Sequence, residues 1–203
     1  MDSFNRRQFM ERAVATAGAM ALAGSGQAET VERVTRASDQ VSLGKSGVKV
    51  SLIGMGTGTI GWQHASNQTR LGQEQFTRLV RHAYDRGINF FDAADQYGSN
   101  PFLREALKGI PREKYVLQTK SNSRDPEEAR SDVDRYLKEL GVDYIDSLII
   151  HCVIEPDWTT RYRGVMDVFS EARQKGKVRA VGVTCHSLPA LRAAEASDWV
   201  QIN

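Results

Sequence analysis

The 203-residue chain lacks the features that mark several large classes of protein. It has only two cysteines, Cys152 and Cys185, which are too few for a disulfide scaffold and lack the CxxC spacing of a redox or zinc motif. The net charge is only +2 and both signs are mixed along the chain, so the charge pattern does not indicate a nucleic-acid partner. With 40% hydrophobic and 26% charged residues, the composition is typical of a globular domain rather than a disordered or membrane-embedded chain.

The first 28 residues resemble a twin-arginine (Tat) export signal. Arg6 and Arg7 precede an apolar run of small residues at 13–24, and a small-residue exit ends at Ala28. Since paired arginines are an address read by a receptor, we expect the Tat machinery to export the folded protein to the periplasm, with cleavage near Ala28. The apolar run is too short and too rich in Ala and Gly to be a membrane anchor. The alternative interpretation is an amphipathic N-terminal helix.

The rest of the chain alternates strand and helix patterns. Residues 29–42 are polar and predict a linker, and residues 43–51 predict a β-hairpin around Lys45-Ser46-Gly47 that would plug the bottom of a barrel. Strand patterns then alternate with helical ones, which is typical of a parallel sheet covered by helices on both faces. The predicted strands are residues 52–57, 89–94, 115–120, 144–151, 178–184 and 199–203.

Two architectures fit this alternation, a (β/α)8 barrel and an open doubly wound sheet. The doubly wound fold usually has a GxGxxG turn that opens a helix after its first strand. Here Gly54-Met55-Gly56-Thr57-Gly58 precedes a long polar loop instead, which favours the barrel. Only five β/α units and a sixth strand can be counted, against eight units in a full barrel of about 250 residues. We therefore expect an incomplete TIM barrel from a C-terminally truncated chain.

Polar side chains accompany three consecutive predicted strands. Asp92 and Tyr97 lie in NFFDAADQYG, Lys120 ends YVLQTK, and His151 ends YIDSLIIH. Because the C-terminal ends of parallel barrel strands meet at one mouth, we expect these side chains to share a pocket. A carboxylate, a phenol, an ammonium and an imidazole together are suited to proton transfer. The sequence thus predicts a catalytic site.

A metal site is the other chemistry that strand ends could supply. His151, Cys152, Cys185 and His186 fall at neighbouring strand ends, but their spacing matches no structural zinc pattern. Side chains alternate along a strand, so His151 and Cys152 should face opposite ways. We expect no metal. A disulfide between the two cysteines would be permitted in an oxidising compartment, and the sequence leaves that open.

The strand-end motifs resemble those of the aldo-keto reductase family over residues 43–203. The resemblance implies a (β/α)8 barrel that reduces an aldehyde or ketone to an alcohol by hydride transfer from a nicotinamide cofactor, with NADP(H) expected in preference to NAD(H). A small carbonyl compound is the implied partner. The matching motifs occur in one chain order: LGKSGVKVSLIGMGTGTIG (43–61), FFDAADQYG (90–98), Thr119-Lys120, LIIH (148–151), GVTCHS (182–187) and VQIN (200–203).

The resemblance also implies a role for each catalytic residue. Tyr97 would be the general acid, Lys120 and Asp92 its tuning pair, and His151 the group that orients the substrate carbonyl. A free phenol has a pKa of about 10. A nearby ammonium stabilises the phenolate, so we expect Lys120 to lower the pKa of Tyr97. His151 would hydrogen-bond the carbonyl oxygen, where negative charge develops as hydride arrives.

The resemblance implies further contacts outside the four catalytic residues. Trp62, in the loop after the first strand, is expected to contact the substrate. Thr184 and Cys185 correspond to the family's Ser-Asn pair at the nicotinamide carboxamide, and Gln201 to its Gln. The implied cofactor-binding residues are Gly56, Thr57, Asp92, Thr184, Cys185 and Gln201.

Other functions stay open at the level of the sequence. One is a barrel that binds the nicotinamide cofactor or senses redox state without catalysis, and another is an inactive fragment. A barrel hydrolase or isomerase of different chemistry is a further alternative, and it would be active without nicotinamide.

The export signal makes a prediction about localisation. Replacing both Arg6 and Arg7 by Lys should keep the protein in the cytoplasm with its first 28 residues uncleaved, because the receptor reads the arginine pair. Cell fractionation and immunoblotting of a C-terminally tagged chain would measure this, with Arg12→Lys as the control in the same segment. Undiminished export of the double variant would contradict the Tat assignment.

Overall fold

The computed structural model describes residues 36–203. The predicted export signal at residues 1–28 and the first part of the predicted linker lie outside the described residues. Residues 40–42, which the sequence assigns to the linker, form the first strand of the hairpin. That hairpin pairs β1 (Gln40–Ser42) antiparallel with β2 (Lys49–Ser51), and its turn carries Gly44 and Gly47 at positive φ.

Five parallel strands form the main sheet in strictly sequential order. This order is expected when each strand is followed by a right-handed crossover back to its neighbour. Seven α-helices lie alongside the sheet within residues 36–203, and the α/β class with a parallel sheet is confirmed. The strands are β3 (Met55–Gly56), β4 (Phe90–Asp92), β5 (Val116–Ser121), β6 (Ile145–Val153) and β7 (Val178–Cys185). The helices are α1 (Asn67–Arg70), α2 (Gln73–Asp85), α3 (Asn100–Leu107), α4 (Pro126–Leu140), α5 (Trp158–Arg161), α6 (Arg163–Gln174) and α7 (Leu188–Glu195).

Helix α4 shows how local sequence sets the element bounds. Asp125 caps the helix, since its carboxylate accepts hydrogen bonds from the amides of Glu127 and Glu128. Pro126 at the first position suits a helix start, because its missing amide proton is not needed there. The helix ends at Gly141, which adopts a left-handed conformation with φ 67°. None of the helices described within residues 36–203 is long and apolar enough to cross a membrane.

Two apolar clusters hold these elements together. The larger lies between the sheet and its helices and includes the fully buried Phe76, Phe91, Tyr136, Phe169 and Trp158. The smaller joins the hairpin to the N-terminal ends of the strands through Val48, Val50, Val116, Ala180 and Ile202. The hairpin therefore closes the N-terminal end of the sheet, as predicted, and leaves the C-terminal strand ends open.

The predicted sixth strand is present as a single parallel bridge. Ile202 pairs with Gly182 of β7, and the Val183 amide donates to the Ile202 carbonyl. Gly182 is needed at this position, because a Cβ there would lie 1.9 Å from the Ile202 carbonyl oxygen. The backbones of Gly182 and Ile202 therefore approach closely where this last bridge joins the sheet.

Candidate active site

A buried ion pair joins the ends of β4 and β5. The Lys120 ammonium lies 2.6 and 2.7 Å from the two carboxylate oxygens of Asp92 and donates a further bond of 2.8 Å to the Ala93 carbonyl. The Lys120 side chain is 6% exposed, so its charge depends on these partners in place of water. Burial lowers the pKa of Lys120, and the charge of Asp92 opposes that shift.

Gln118 and Ser147 extend the hydrogen bonding of this pair towards the N-terminal ends of the strands. Gln118 lies two residues before Lys120, so both side chains point to the same face of β5. Its amide donates to Asp92 over 2.7 Å, and its carbonyl oxygen accepts from the Ser147 hydroxyl over 2.8 Å. Asp92 is thereby held by two donors from one strand, which fixes the orientation of its carboxylate.

Tyr97 is carried on a single helical turn, residues 95–97, directly after β4. Two glycines of the loop after β3 lie against its ring: a Cβ at Gly58 would be 2.2 Å from Cε2, and one at Gly61 would be 2.3 Å from Cδ1. The turn ends at Gly98 with φ 61°, where a Cβ would meet the His64 carbonyl oxygen at 2.1 Å. The ring is therefore held by backbone that has no room for side chains.

His151 faces the phenol from the end of β6. Its Nε2 lies 3.4 Å from the Tyr97 hydroxyl, and the two rings meet edge to face with centroids 5.6 Å apart. Burial, reinforced by the charge of Lys120, lowers the pKa of His151 to about 3, so the imidazole is neutral at physiological pH. Its buried Nδ1 has no hydrogen-bond partner among the described residues.

The acidity of Tyr97 differs from the expectation. Burial, followed by the negative charge of Asp92, raises the pKa of Tyr97 to about 12. Lys120 lies 4.9 Å from the centroid of the phenol ring, but its charge is already matched by the Asp92 carboxylate. The predicted lowering of the phenol pKa by Lys120 is therefore not seen in this structure, and Tyr97 holds its proton at neutral pH.

The end of β6 departs from a regular strand. A register shift lies between Ile150 and Val153, and Cys152 adopts a positive φ of 56°. Arg124 stabilises this bulge by donating to the His151 carbonyl over 2.6 Å. Because alternation holds only for a regular pleat, the bulge removes the basis for expecting His151 and Cys152 to face opposite ways.

The loop after β3 holds three further predicted residues in different settings. Gly56 lies level with Asp92 in the sheet, and a Cβ on it would meet nothing within 4 Å, so it borders open space. Thr57 is fully buried, and its hydroxyl lies 2.9 Å from the Asp92 carbonyl oxygen and 2.7 Å from the Ser99 hydroxyl, so it holds the loop after β3 against β4. Trp62 is 65% exposed in the same loop.

The residues expected at the carboxamide are not all brought together. The Thr184 hydroxyl lies at the end of β7 but already accepts the Cys152 amide over 2.8 Å. Cys185 packs against the larger apolar cluster. Gln201 bonds to the Val181 amide through its side chain, and its carbonyl accepts from the amide of Lys45 in the hairpin. The structure therefore places Gln201 towards the hairpin end, apart from the four catalytic candidates.

Both cysteines are free thiols. Within residues 36–203 no three His, Cys, Asp or Glu side chains are grouped so that they could hold a metal ion. His186 lies near His151, with ring centroids 6.4 Å apart, without completing such a group.

Several supporting residues were not found from the sequence. Gln118 could have been, because it lies on the same strand face as Lys120 two residues away. Gly58, Gly61 and Arg124 could not, since their contacts with Tyr97 and His151 join separate loops and leave no periodic pattern.

The contact between Gly58 and Tyr97 makes a prediction about stability. Gly58→Ala should lower the free energy of unfolding by about 1–3 kcal/mol, because the added methyl overlaps the phenol ring. In a Tyr97→Ala background the same substitution should cost much less, since the ring is gone. Urea unfolding of the four proteins measures both costs, and equal costs in the two backgrounds would contradict the contact.

Comparison with known proteins agrees with this geometry. The model of the Aldo/keto reductase family matches residues 52–203. The chain is 30% identical over 166 residues to the NADH-specific methylglyoxal reductase of Escherichia coli, covering 70% of this chain and 51% of that protein. It is 35% identical over 160 residues to the 6-dehydroglucose reductase of Novosphingobium aromaticivorans, covering 70% and 50%. The chain thus spans about half the length of the curated relatives it matches.

Solved structures show the same fold. An aldo-keto reductase from Bacillus halodurans in its holo form superposes with a TM-score of 0.61 at 24% identity, covering 73% of this chain and 50% of that one. MGS-M4, an aldo-keto reductase from a deep-sea metagenome library, gives a TM-score of 0.63 at 25% identity over 81% and 56%. The parallel sheet therefore matches the aldo-keto reductase barrel over part of its length, and the chain belongs to the aldo/keto reductase family.

Proposed function

We propose that this protein is an oxidoreductase that reduces an aldehyde or ketone to an alcohol with a nicotinamide cofactor. The observation that carries the proposal is the convergence of Asp92, Tyr97, Lys120 and His151 at the ends of β4, β5 and β6 and in the turn after β4. The sequence motifs alone single out the same four residues, and packing needs alone do not explain a buried lysine beside a phenol.

The residues around the mouth fit a nicotinamide. Gly56 leaves open space level with Asp92, and Thr184 presents a hydroxyl at the end of β7. We propose that Gly56 and Thr184, with Cys185 next to Thr184 in the chain, border the nicotinamide end. Thr57 is fully buried behind Gly56 and Asp92, and Gln201 bonds towards the hairpin, so neither belongs to this set. When bound, the cofactor would supply a hydride to the carbonyl carbon.

The protein's own contribution is to position the carbonyl and protonate it. The Tyr97 hydroxyl and His151 Nε2 lie 3.4 Å apart. A carbonyl oxygen that contacts both atoms could therefore accept a hydrogen bond from each. Neutral His151 donates one of these bonds, which stabilises negative charge on the oxygen. Tyr97 then transfers its proton to that oxygen, and a pKa of about 12 matches its role as an acid that stays protonated until charge develops.

Lys120 and Asp92 support that transfer. When Tyr97 gives up its proton, the phenolate that forms has the Lys120 ammonium 4.9 Å from its ring centroid. Asp92 keeps the ammonium charged despite its burial. Of the two, Lys120 attracts the phenolate that forms, whereas the charge of Asp92 disfavours it and raises the pKa of Tyr97, so the part of Asp92 is to hold the ammonium in place.

The finer assignments are also proposals. We propose a small carbonyl compound as the substrate, since two relatives are named for methylglyoxal and 6-dehydroglucose. The preference for NADP(H) stays a prediction, and the Escherichia coli relative is described as NADH-specific. Export by the Tat machinery to the periplasm rests on residues 1–28 alone.

Replacing the general acid tests the proposal. With NADPH or NADH and an aldehyde such as methylglyoxal, Tyr97→Phe should lower kcat at least about 100-fold, because it removes the only phenol proton at the carbonyl. Loss of absorbance at 340 nm measures turnover with each cofactor, and their ratio gives the cofactor preference.

Tyr115→Phe is the matched control, since Tyr115 is buried at the opposite end of β5 beside Arg112. It should keep wild-type turnover. Full turnover of Tyr97→Phe would contradict the proposal. Cofactor binding without turnover in the wild type would favour a non-catalytic barrel, and activity without nicotinamide would favour a hydrolase or isomerase.

A further inference from the structure

One face of helix α4 contacts both elements that carry the catalytic phenol and ammonium. Asp132, Arg135 and Glu139 lie at positions i, i+3 and i+7, so they form a single stripe along the helix. None of the three touches the carbonyl pocket. Their side chains bond instead to Asp95, two residues before Tyr97, to Ser121 and Ser123, which follow Lys120, and to Asn100.

The stripe holds the turn of Tyr97 through Arg135. Its Nη1 donates to the Asp95 carboxylate over 2.7 Å, and Asp95 begins the turn that ends at Tyr97. Its Nη2 donates to Asp132 over 2.6 Å. The planar guanidinium therefore links a carboxylate on the turn to one on the helix, a geometry that a fork of donors allows and a single ammonium does not.

The stripe also holds the strand end of Lys120. The second oxygen of Asp132 accepts bonds from the hydroxyls of Ser121 and Ser123, over 2.6 and 2.8 Å. Asp132 is buried, and although burial raises the pKa of its carboxyl, the bonds from Ser121 and Arg135 outweigh that effect and lower it. Ser121 is the residue after Lys120, so its bond to Asp132 joins helix α4 to β5 one residue from Lys120.

Glu139 adds a second link to the same strand. It accepts from Arg135 over 3.0 Å and from the Asn100 amide over 3.0 Å. Asn100 in turn accepts the Thr119 hydroxyl over 3.1 Å. Thr119 and Ser121 flank Lys120 and point away from the sheet interior. Both neighbours of Lys120 are therefore tied, directly or through one residue, to the helix that holds the Tyr97 turn.

We propose that this stripe of Asp132, Arg135 and Glu139 is a positioning element that sets the place of the Tyr97 hydroxyl relative to Lys120, with Arg135 as its central residue. The inference rests on the proposed function, because it concerns the same phenol and ammonium. Without Arg135 the Asp95 carboxylate loses its strong partner, and the turn is free to move the phenol. A displacement of about 1 Å in a reacting group can cost about 100-fold in rate.

Substitution of Arg135 in the full 203-residue chain tests this inference. Arg135→Gln should lower kcat about 10- to 100-fold with KM nearly unchanged. It should also shift the NMR resonance of the Tyr97 ring in protein labelled at tyrosine Cζ, where the Tyr97→Phe variant identifies that resonance. The resonances of Tyr115 and Tyr144, at the other end of the sheet, should stay in place. Arg135→Lys should recover only part of kcat, because a compact ammonium lacks the rigid planar fork with which the guanidinium holds the two carboxylates.

Two further variants separate positioning from stability. Arg130 lies on the same helix as Arg135 and forms an exposed ion pair with Glu171 of α6. Arg130→Gln removes that pair and should leave kcat and the Tyr97 resonance as in the wild type. Asp95→Asn keeps the bond between Arg135 and Asp132 and weakens the link of Arg135 to the turn. The variant also loses the weaker ion pair of Asp95 with His64 at 3.8 Å, so His64→Gln is its control and should leave the Tyr97 resonance in place. Asp95→Asn should reproduce the effect of Arg135→Gln in a folded protein, and it decides the question if Arg135→Gln does not fold.

The outcomes distinguish this inference from the proposed function. An unmoved Tyr97 resonance in both Arg135→Gln and Asp95→Asn overturns the positioning role, even if unfolding temperatures fall. A shifted resonance in a protein whose wild type reduces no carbonyl supports the placement of the phenol by Arg135 while refuting the reductase proposal. A shifted resonance with kcat equal to that of Arg130→Gln overturns the claim that this placement governs catalysis.

Discussion

The contact between Lys120 and Asp92 is the constraint on which the site depends. An ammonium that is almost wholly removed from water is unfavourable unless a carboxylate and other acceptors surround it. Here three bonds of 2.6 to 2.8 Å, to both oxygens of Asp92 and to the Ala93 carbonyl, replace the lost water. The requirement to satisfy them holds the end of β4, where Asp92 lies level with Gln118, against the last residues of β5. The turn that begins at Asp95 therefore starts from a fixed point and delivers Tyr97 next to His151.

The two faces of β5 have different roles: one carries side chains of the catalytic site, and the other carries side chains that hold the strand in place. Gln118 and Lys120 point into the sheet interior and bond to Asp92, whereas Thr119 and Ser121 point outward and bond to partners held by helix α4. A side chain that moves on one face therefore disturbs the other through the same stretch of backbone. This explains why a charged cluster outside the pocket can control the position of groups within it.

The sequence predicted the order of strands and helices and selected the four polar side chains that the structure gathers. It could do so because apolar periodicity and strand-end position are local properties. Contacts between separate loops are not local, so the glycines beside Tyr97 and the bonds of Arg135 were missed. The alternation rule does not apply at Cys152, because a bulge with positive φ interrupts the regular strand there. The pKa of Tyr97 was expected to fall, but burial and Asp92 raise it because Asp92 has already neutralised Lys120.

The most direct test of this account is the stability of Lys120→Met compared with that of Lys177→Met, measured by equilibrium urea unfolding. Lys177 forms an exposed ion pair with Asp134, which should contribute less than about 1 kcal/mol. Lys120→Met leaves the Asp92 carboxylate without its cation inside the sheet and should cost about 3 kcal/mol. If the two lysine variants lose the same small amount of stability, the buried pair does not organise the strand ends and the account is wrong.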